Sequence, residues 1–240
     1  MIQWLDSCES TNTYIASQAP LMADGDVVAA RTQSAGRGQR GNSWEAEPGA
    51  NLTFSMLLRP SELAPARQFE LSMAVSLAIV DVLDGLLPHH LSAQIKWPND
   101  IYVADKKICG ILIEHSLAGS KIQRTIVGIG LNVNQQQFFS DAPNPVSLIQ
   151  LIGSATPLEP LLQQLAQAII AATHSYDTAT LRRRYFAKLY RGTGLHPYID
   201  TDSGERFLAE IADVAADGII TLREADGYER RYAFKEVAFS

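Results

Sequence analysis

The segment AQIKWPNDIYVADKKICGILIEHS, residues 93–116, carries the most information about the fold. Residues 93–97 and 101–104 are rich in apolar residues and flank a Pro98-Asn99-Asp100 turn, so they predict two short strands. Residues 107–116 and 123–133 follow as two longer apolar stretches, which we expect to form a central pair. The segment therefore predicts a sheet with the Pro98 turn at one of its ends.

Helical periodicity appears on the N-terminal side of this segment. Phe69, Met73, Leu77, Val80 and Leu83 recur at spacings of three or four and predict a helix over residues 65–86. Ser10-Thr11-Asn12 offers N-cap side chains for an earlier helix. The other predicted elements are strands at residues 2–8, 26–33 and 51–58, a long loop at 34–50, and helices ending near residue 19 and spanning 158–175 and 178–190.

The sequence changes character from about Gly192 onward. Apolar and polar residues alternate there in short pieces, interrupted by Asp202-Ser203-Gly204, Asp217-Gly218 and Asp226-Gly227. Such interruptions are typical of β-hairpins, so a small β-barrel-like module is expected. The fold class is therefore α+β, with a mixed sheet that carries helices on one side and a β appendage. We expect one domain at residues 1–191 and a second at 192–240.

Composition limits the classes of function. The chain has 240 residues, a net charge of −6 and two cysteines. The acidic balance argues against a whole-protein basic field for nucleic acid. Cys8 and Cys109 form no CxxC pair, which argues against a disulfide framework or a cysteine-rich zinc site and favours a reducing compartment. No secretory signal or membrane-spanning stretch is visible, so a soluble cytoplasmic protein is expected.

A local concentration of positive charge lies in RTQSAGRGQRGNSW, residues 31–44. Arg31, Arg37 and Arg40 are interleaved with three glycines, and no acid appears before Glu45. Glycine lets a backbone approach a ligand closely, and arginine offers paired contacts to carboxylate or phosphate. The segment suits an anionic ligand held by a mobile loop. A solvated surface loop uses the same residues and stays an open alternative.

Residues 36–41 also match the G-x-G-x-x-G pattern of dinucleotide-binding folds. That pattern is informative only where it leads into a helix. Pro48 and Gly49 follow closely and oppose a helix, so we set the dinucleotide-binding interpretation aside.

The turn at residues 96–100 places Lys96, Trp97, Pro98, Asn99 and Asp100 side by side. Pro98 fixes its own φ and biases Trp97 toward an extended conformation, so the turn can hold the next two side chains in fixed directions. Asp100 can hold Mg²⁺ through water, and Lys96 can offset phosphate charge. An ordinary hairpin turn has the same composition and remains an alternative.

Lys107 opens a buried apolar run at residues 107–114 and can point into a ligand site or reach out to solvent. Gly110 lies within that run, where a glycine often marks close approach by a ligand or another backbone. Residues 128–134 form a second apolar run of this kind, which contains Gly128 and Asn132. Core packing explains the apolar residues of both runs more readily than it explains the asparagines.

Together, in this order, the segments closely resemble the biotin–protein ligase family. The matching stretches are residues 10–12 (STN), 33–38 (QSAGRG), 96–100 (KWPND), 107–114 (KICGILIE) and 128–132 (GIGLN). The resemblance spans residues 9 to about 134, and the C-terminal β module fits the family's layout. It implies a catalytic domain similar to class II aminoacyl-tRNA synthetases, followed by an SH3-like β-barrel.

The resemblance also implies roles for individual residues. The implied catalytic residues are Lys107 and Arg37. The implied biotin-binding residues are Ser10, Thr11, Asn12, Gln33, Arg37, Gly38, Gln39, Lys107, Gly110 and Gly128. The implied ATP-binding residues are Arg37, Arg40, Trp44, Lys96, Asn99, Asp100 and Asn132. Asp100 is the implied ligand of Mg²⁺.

The activity implied is an ATP-dependent, AMP-forming ligation of biotin to a lysine of a biotin carboxyl carrier protein, through biotinyl-5′-AMP. Because the motifs begin at Glu9, the ligase-only class without a DNA-binding domain is expected. This class predicts no DNA or membrane partner, and a monomer or homodimer. Gln39 stands where many bacterial members have arginine, which puts the affinity of the loop for the adenylate in question. A lipoate–protein ligase and a non-catalytic biotin-binding module are the alternatives.

Overall fold

A seven-stranded mixed sheet forms the first part of the chain in the computed structural model, which describes residues 1–60, 63–139 and 144–240, with Arg40 described by its backbone alone. Its strands are β1 (Ile2–Cys8), β2 (Val27–Gln33), β3 (Leu52–Leu58), β4 (Ala93–Lys96), β5 (Asp100–Val103), β6 (Lys106–Ala118) and β7 (Lys121–Leu131). The strand order is β1-β2-β3-β7-β6-β5-β4, with β1 and β2 parallel and the other neighbours antiparallel. The predicted mixed sheet is confirmed, and β7 lies at its centre beside β6.

Five α-helices accompany the sheet in the described ranges. They are α1 (Thr11–Gln18), α2 (Gln68–Asp84), α3 (Leu148–Ile152), α4 (Leu158–His174) and α5 (Thr178–Ala187). The sequence predicts four of them, but α3 has five residues, too few to show a periodic apolar pattern. None of these helices is long and apolar enough to cross a membrane.

The two faces of the sheet are covered differently. Successive side chains of a strand point to opposite faces. In β3, Phe54 and Met56 belong to the core built with α2 and α4, whereas Leu57 packs against Ile15 of α1 on the other face. The long helices therefore lie on one side, as expected, and the short α1 is a departure on the opposite side. Because α1 has only eight residues, it covers only part of that face of the sheet.

The C-terminal strands form a second, five-stranded antiparallel sheet, as predicted from the hairpin signals. Its strands are β8 (His196–Asp200), β9 (Arg206–Val214), β10 (Ile220–Glu224), β11 (Glu229–Tyr232) and β12 (Val237–Phe239), in the order β11-β10-β9-β8-β12. Gly218 and Gly227, at φ 98° and 91°, occupy the two predicted turns that join β9 to β10 and β10 to β11. The predicted domain boundary at residue 192 falls between α5 and β8 and stays a prediction.

The second sheet packs against the first part of the chain, including the turn at residues 96–100, through direct hydrogen bonds. Trp97 donates its indole N–H to the carbonyl of Gly218 at 3.0 Å. Arg182 of α5 donates to the carbonyl of Val214 at 2.8 Å and pairs with Asp213 at 2.6 Å. The turn at residues 96–100 is therefore supported from behind by the C-terminal sheet.

Candidate functional site

A cavity of about 860 Å³ lies on the sheet face that α1 covers only in part. Its walls come from the start of α1, the loop after β2, the turn between β4 and β5, and strands β6 and β7. The predicted site residues that line it are Ser10, Thr11, Asn12, Gln33, Arg37, Gly38, Gln39, Trp44, Lys96, Asn99, Asp100, Lys107, Gly110, Gly128 and Asn132. The side chain of Arg40 lies outside the described part of the chain. The fold thus brings segments more than 100 residues apart to one cavity.

A neutral polar cluster occupies one end of the cavity, at the start of α1. Gln33 accepts hydrogen bonds at Oε1 from the backbone N–H of Thr11 at 2.8 Å and from its hydroxyl at 3.1 Å. Ser55 Oγ lies 2.6 Å from Thr11 Oγ1 and 2.5 Å from Asn12 Oδ1. Ser10 is the N-cap residue by position, but its side chain makes no capping hydrogen bond. Buried, uncharged donors and acceptors of this kind suit a neutral hydrogen-bonding ligand group.

Ser55 does not line the cavity but hydrogen-bonds to Thr11 and Asn12, which do, and sequence reasoning missed it. It is fully buried in β3, inside a stretch that we interpreted only as an apolar strand. Thr53 and Ser55 are two residues apart, so both side chains point to the α1 face. A pair of polar residues at that spacing in a buried strand was the available signal.

Glu114 of β6 joins this cluster to the arginine-containing loop. Asn12 donates its side-chain amide to Glu114 Oε2 at 2.6 Å, and Arg37 lies 3.2 Å from the same oxygen. Glu114 belongs to the motif at residues 107–114, but the sequence indicated no separate role for it. Arg37 is therefore drawn toward the sheet by an acid of β6 and is about half exposed, at 46%.

Two strand glycines allow Trp44 to lie flat against the sheet. Gly110 and Gly130 are paired across β6 and β7. A Cβ built on Gly130 would come within 3 Å of the Trp44 indole, and one on Gly110 would touch its outer edge. The indole N–H of Trp44 is buried without a hydrogen-bond partner among the described residues. Bare backbone is therefore required at this point of the sheet, where the Trp44 indole packs.

Two lysine ammonium groups face the other end of the cavity. Lys107 Nζ lies 2.7 Å from Asp100 Oδ1. Lys96 donates to the hydroxyl of Tyr102 at 3.0 Å and lies over the rings of Tyr102 and, from β12, Phe239, at 4.7 and 5.2 Å. Burial lowers the pKa of Lys96; the charge of Asp100 opposes this shift and the charge of Lys107 adds to it. Burial raises the pKa of Tyr102 to about 12. This end suits an anionic ligand such as a phosphate or a carboxylate.

Asn99 and Asn132, which the resemblance implies as ATP-binding residues, have different environments. Asn99 donates its amide to the carbonyl of Ile111 at 2.6 Å and accepts from the N–H of Ile111 at 2.9 Å, so it fastens the turn to β6. Asn132 donates to the carbonyl of Val146 at 3.1 Å. Its Oδ1 is buried without a partner in the described ranges, which leaves an acceptor for a ligand N–H.

Asp100 is the predicted magnesium ligand, and its surroundings limit the kind of metal site. Among the described residues, no group of three or more His, Cys, Asp or Glu side chains forms a metal-binding cluster. Mg²⁺ commonly binds through one or two carboxylates together with the phosphates of a substrate. Asp100 fits that single-carboxylate arrangement, with Lys107 as its present partner.

Comparisons with known proteins place the motifs in one family. Residues 4–132 match the sequence model of the Biotin/lipoate A/B protein ligase family. The "Biotin--[acetyl-CoA-carboxylase] ligase" of Paracoccus denitrificans is 34% identical over 190 residues, covering 76% of this chain and 78% of the relative. The "Bifunctional ligase/repressor BirA" of Salmonella typhimurium is 35% identical over 136 residues, which are 57% of this chain but 42% of that longer protein.

The fold has relatives of known structure. The biotin protein ligase from Aquifex aeolicus in complex with biotin and ATP superposes with a TM-score of 0.81 over 100% of this chain and 99% of that one. The sequence identity is 21%, so the likeness concerns the fold. It extends over both sheets, which confirms the predicted fold class.

Proposed function

The chain belongs to the Biotin/lipoate A/B protein ligase family, and we propose that it is an ATP-dependent biotin–protein ligase. One observation carries the proposal most directly. A single cavity joins the neutral polar cluster around Thr11 and Ser55 to a cationic end with Lys96 and Lys107. Biotin has the matching chemistry, since a neutral ureido ring carries a chain that ends in a carboxylate. ATP brings the phosphates that the cationic end suits.

The first step joins two anions, which makes positive charge in the site necessary. A carboxylate oxygen of biotin attacks the α-phosphorus of ATP, the bond from that phosphorus to the bridging oxygen breaks, and pyrophosphate leaves. Charge grows on the α-phosphate oxygens during the attack, and fixed cations stabilise it. Lys107 and Lys96 stand at the cavity end where this happens, and Arg37 approaches from the loop. These are the roles that we assign to them.

The product, biotinyl-5′-AMP, is a mixed anhydride that water destroys. The loop at residues 34–50 lies over the cavity, and Arg37 and Trp44 reach the sheet from it. We assign to this loop the exclusion of water from the adenylate. Gln39 also lines the cavity, so the loop keeps a polar side chain where many relatives have arginine.

The second step transfers the biotinyl group to a protein. The deprotonated amine of an acceptor lysine attacks the acyl carbon, an amide forms, and AMP leaves with the bonding electrons. We propose a biotin carboxyl carrier domain as the acceptor, because relatives are named as ligases for acetyl-CoA carboxylase. Asp100 would hold Mg²⁺ together with the phosphates, and the ion would offset phosphate charge. We propose a cytoplasmic site of action, which the two free cysteines, Cys8 and Cys109, support.

Isotope exchange between pyrophosphate and ATP tests the first step by itself. The protein is incubated with Mg-ATP and labelled pyrophosphate, with biotin, with lipoate, or with neither acid. We expect label to enter ATP only with biotin. Exchange that depends on lipoate would identify the lipoate branch of the family instead. Saturable biotin binding without exchange would reduce the protein to a binding module.

A further inference from the structure

We propose that Gln135 is a positioning residue that joins the two loops flanking the cavity, so that biotin and ATP strengthen each other's binding. The inference rests on the proposed function and adds a residue that no motif contains. Gln135 follows β7 in the segment 132–139, and only 1% of its surface is exposed. A glutamine so completely buried needs partners for both ends of its amide.

The amide of Gln135 connects directly to the end of the arginine-containing loop. Its Oε1 accepts from the backbone N–H of Glu47 at 3.0 Å and from the side-chain amide of Asn51 at 2.5 Å. Its Nε2 donates to the carbonyl of Gln137 at 2.8 Å and lies 3.4 Å from Glu45 Oε1. Both lone pairs and both N–H groups of the amide thus have partners, three of them on residues 45–51.

Further hydrogen bonds join the same two segments. Asn51 Oδ1 accepts from the N–H of Val133 at 2.8 Å, and the carbonyl of Ala50 accepts from the N–H of Asn134 at 2.8 Å. Glu45 Oε1 accepts from the N–H of Phe139 at 3.0 Å. Residues 45–51 and 133–139 are therefore one bonded unit, with Gln135 at its buried centre.

Both segments of this unit continue into residues that line the cavity, and the arginine-containing loop also carries implied biotin-binding residues. Trp44 and Glu45 line it where the arginine-containing loop returns to the sheet. Asn132, Phe138 and Phe139 line it from the other segment. A ligand that orders one segment lowers the entropy lost when the second ligand orders the other. Such coupling is reciprocal, so each ligand raises the affinity for the other by the same factor.

The chain offers a matched control, because Gln136 is an exposed glutamine next to the buried one. Gln135→Ala removes the side-chain hydrogen bonds that connect the two segments, whereas Gln136→Ala removes a side chain of the same size from the same segment. Calorimetry measures the Kd of biotin with and without saturating α,β-methylene-ATP and Mg²⁺, a mixture that cannot react to the adenylate. The ratio of the two Kd values is the coupling factor, and a residue with a merely structural role leaves it unchanged.

We expect a coupling factor on the order of tenfold in the wild type and in Gln136→Ala, and a factor near one in Gln135→Ala. Glu45→Ala removes the contacts to Phe139 and Gln135 at the rim of the cavity, and we expect it to give an intermediate coupling factor. If Gln135→Ala does not fold, the coupling factor of Glu45→Ala tests the inference. A wild-type factor of one, or an undiminished factor in both variants, overturns the inference alone. Failure of the wild type to bind biotin overturns the proposed function as well.

Discussion

The ammonium of Lys107 lies 2.7 Å from the carboxylate of Asp100, across the neighbouring strands β6 and β5. Both side chains are about a quarter exposed, so the pair is open to the cavity on one side. Lys107 Nζ also lies 5.7 Å from the centre of the Trp44 ring. Asp100 therefore restrains the lysine at the cavity wall, between the turn at residues 96–100 and the arginine-containing loop, where we propose that a phosphate binds.

Loss of this lysine is expected to impair adenylation far more than loss of its neighbour. We predict that Lys107→Ala lowers biotin-dependent ATP–pyrophosphate exchange by a factor on the order of 100 to 1,000, since it removes a fixed charge from the developing phosphate charge. Lys106→Ala is the control, because Lys106 is exposed at the start of the same strand. Near-normal exchange in Lys107→Ala, or an equal loss in both variants, contradicts the assignment.

A methyl group on Gly130 is expected to displace Trp44 from the sheet. The added Cβ overlaps the indole, which cannot yield like the end of a flexible chain. We predict that Gly130→Ala raises the KM for ATP by roughly tenfold, because a misplacement of a positioning group by about 1 Å is costly. Gly85→Ala is the matched control, since its Cβ would make only ordinary contacts at the end of α2. An unchanged KM in Gly130→Ala would rule out a role for the Trp44 position.

Removal of the Ser55 hydroxyl is expected to weaken biotin binding. Ser55→Ala leaves Thr11 and Asn12 without a common partner inside the polar cluster. A net hydrogen bond contributes about 1 kcal/mol, so the Kd of biotin measured by calorimetry should rise roughly five- to tenfold. Ser76→Ala, a buried serine on α2 at the opposite face, should leave the Kd unchanged. Equal biotin affinity in Ser55→Ala and wild type would remove Ser55 from the site.

Only part of the site could be predicted from the sequence. The motifs at residues 96–100, 107–114 and 128–132 predict the turn and the central strands because those features are local. Ser55 and Gln135 were missed because their surroundings depend on strand order. β3 lies beside β7, some 70 positions later in the sequence, and Gln135 meets partners more than 80 positions away. The polar residues at alternate positions of β3 mark Ser55 as unusual, but no pattern along the chain shows which partners Ser55 and Gln135 meet.

The position of α1 is a similar case. The N-cap side chains at residues 10–12 predict a helix, but they do not say which face of the sheet it covers. Ile15 reaches Val28 and Leu57 on the face opposite to α2, and this choice creates the open surface on which the cavity forms. The sequence therefore predicts the parts of the site, and the assembled sheet decides how they meet.

Stability is expected to depend on pH through His174, away from the cavity. Its Nδ1 lies 2.8 Å from the carbonyl of Ile170 and its Nε2 lies 2.7 Å from Asp24. The hydrogen bond to Ile170, then that to Asp24, raises the pKa of His174 above its ordinary value of 6.5. The protonated histidine therefore stabilises the folded state fully below the unfolded pKa, and the contribution is lost as pH rises through the folded pKa.

Urea denaturation of wild type and His174→Gln checks the sign. The difference in free energy of unfolding should be larger at about pH 5.5 than at about pH 8.5. His90→Gln, at an exposed site, shows the effect of removing a surface histidine. A difference that grows with pH would contradict the charged pair with Asp24.

The most direct test of the central claim is transfer to an acceptor protein. The protein is incubated with biotin, Mg-ATP and an isolated biotin carboxyl carrier domain, and the carrier is weighed by mass spectrometry. The account predicts the addition of one biotinyl group to the carrier, with release of AMP and pyrophosphate, and no addition when the acceptor lysine is replaced by arginine. An unmodified carrier, in a reaction that binds biotin and contains intact ATP, would contradict the claim that this chain is a biotin–protein ligase.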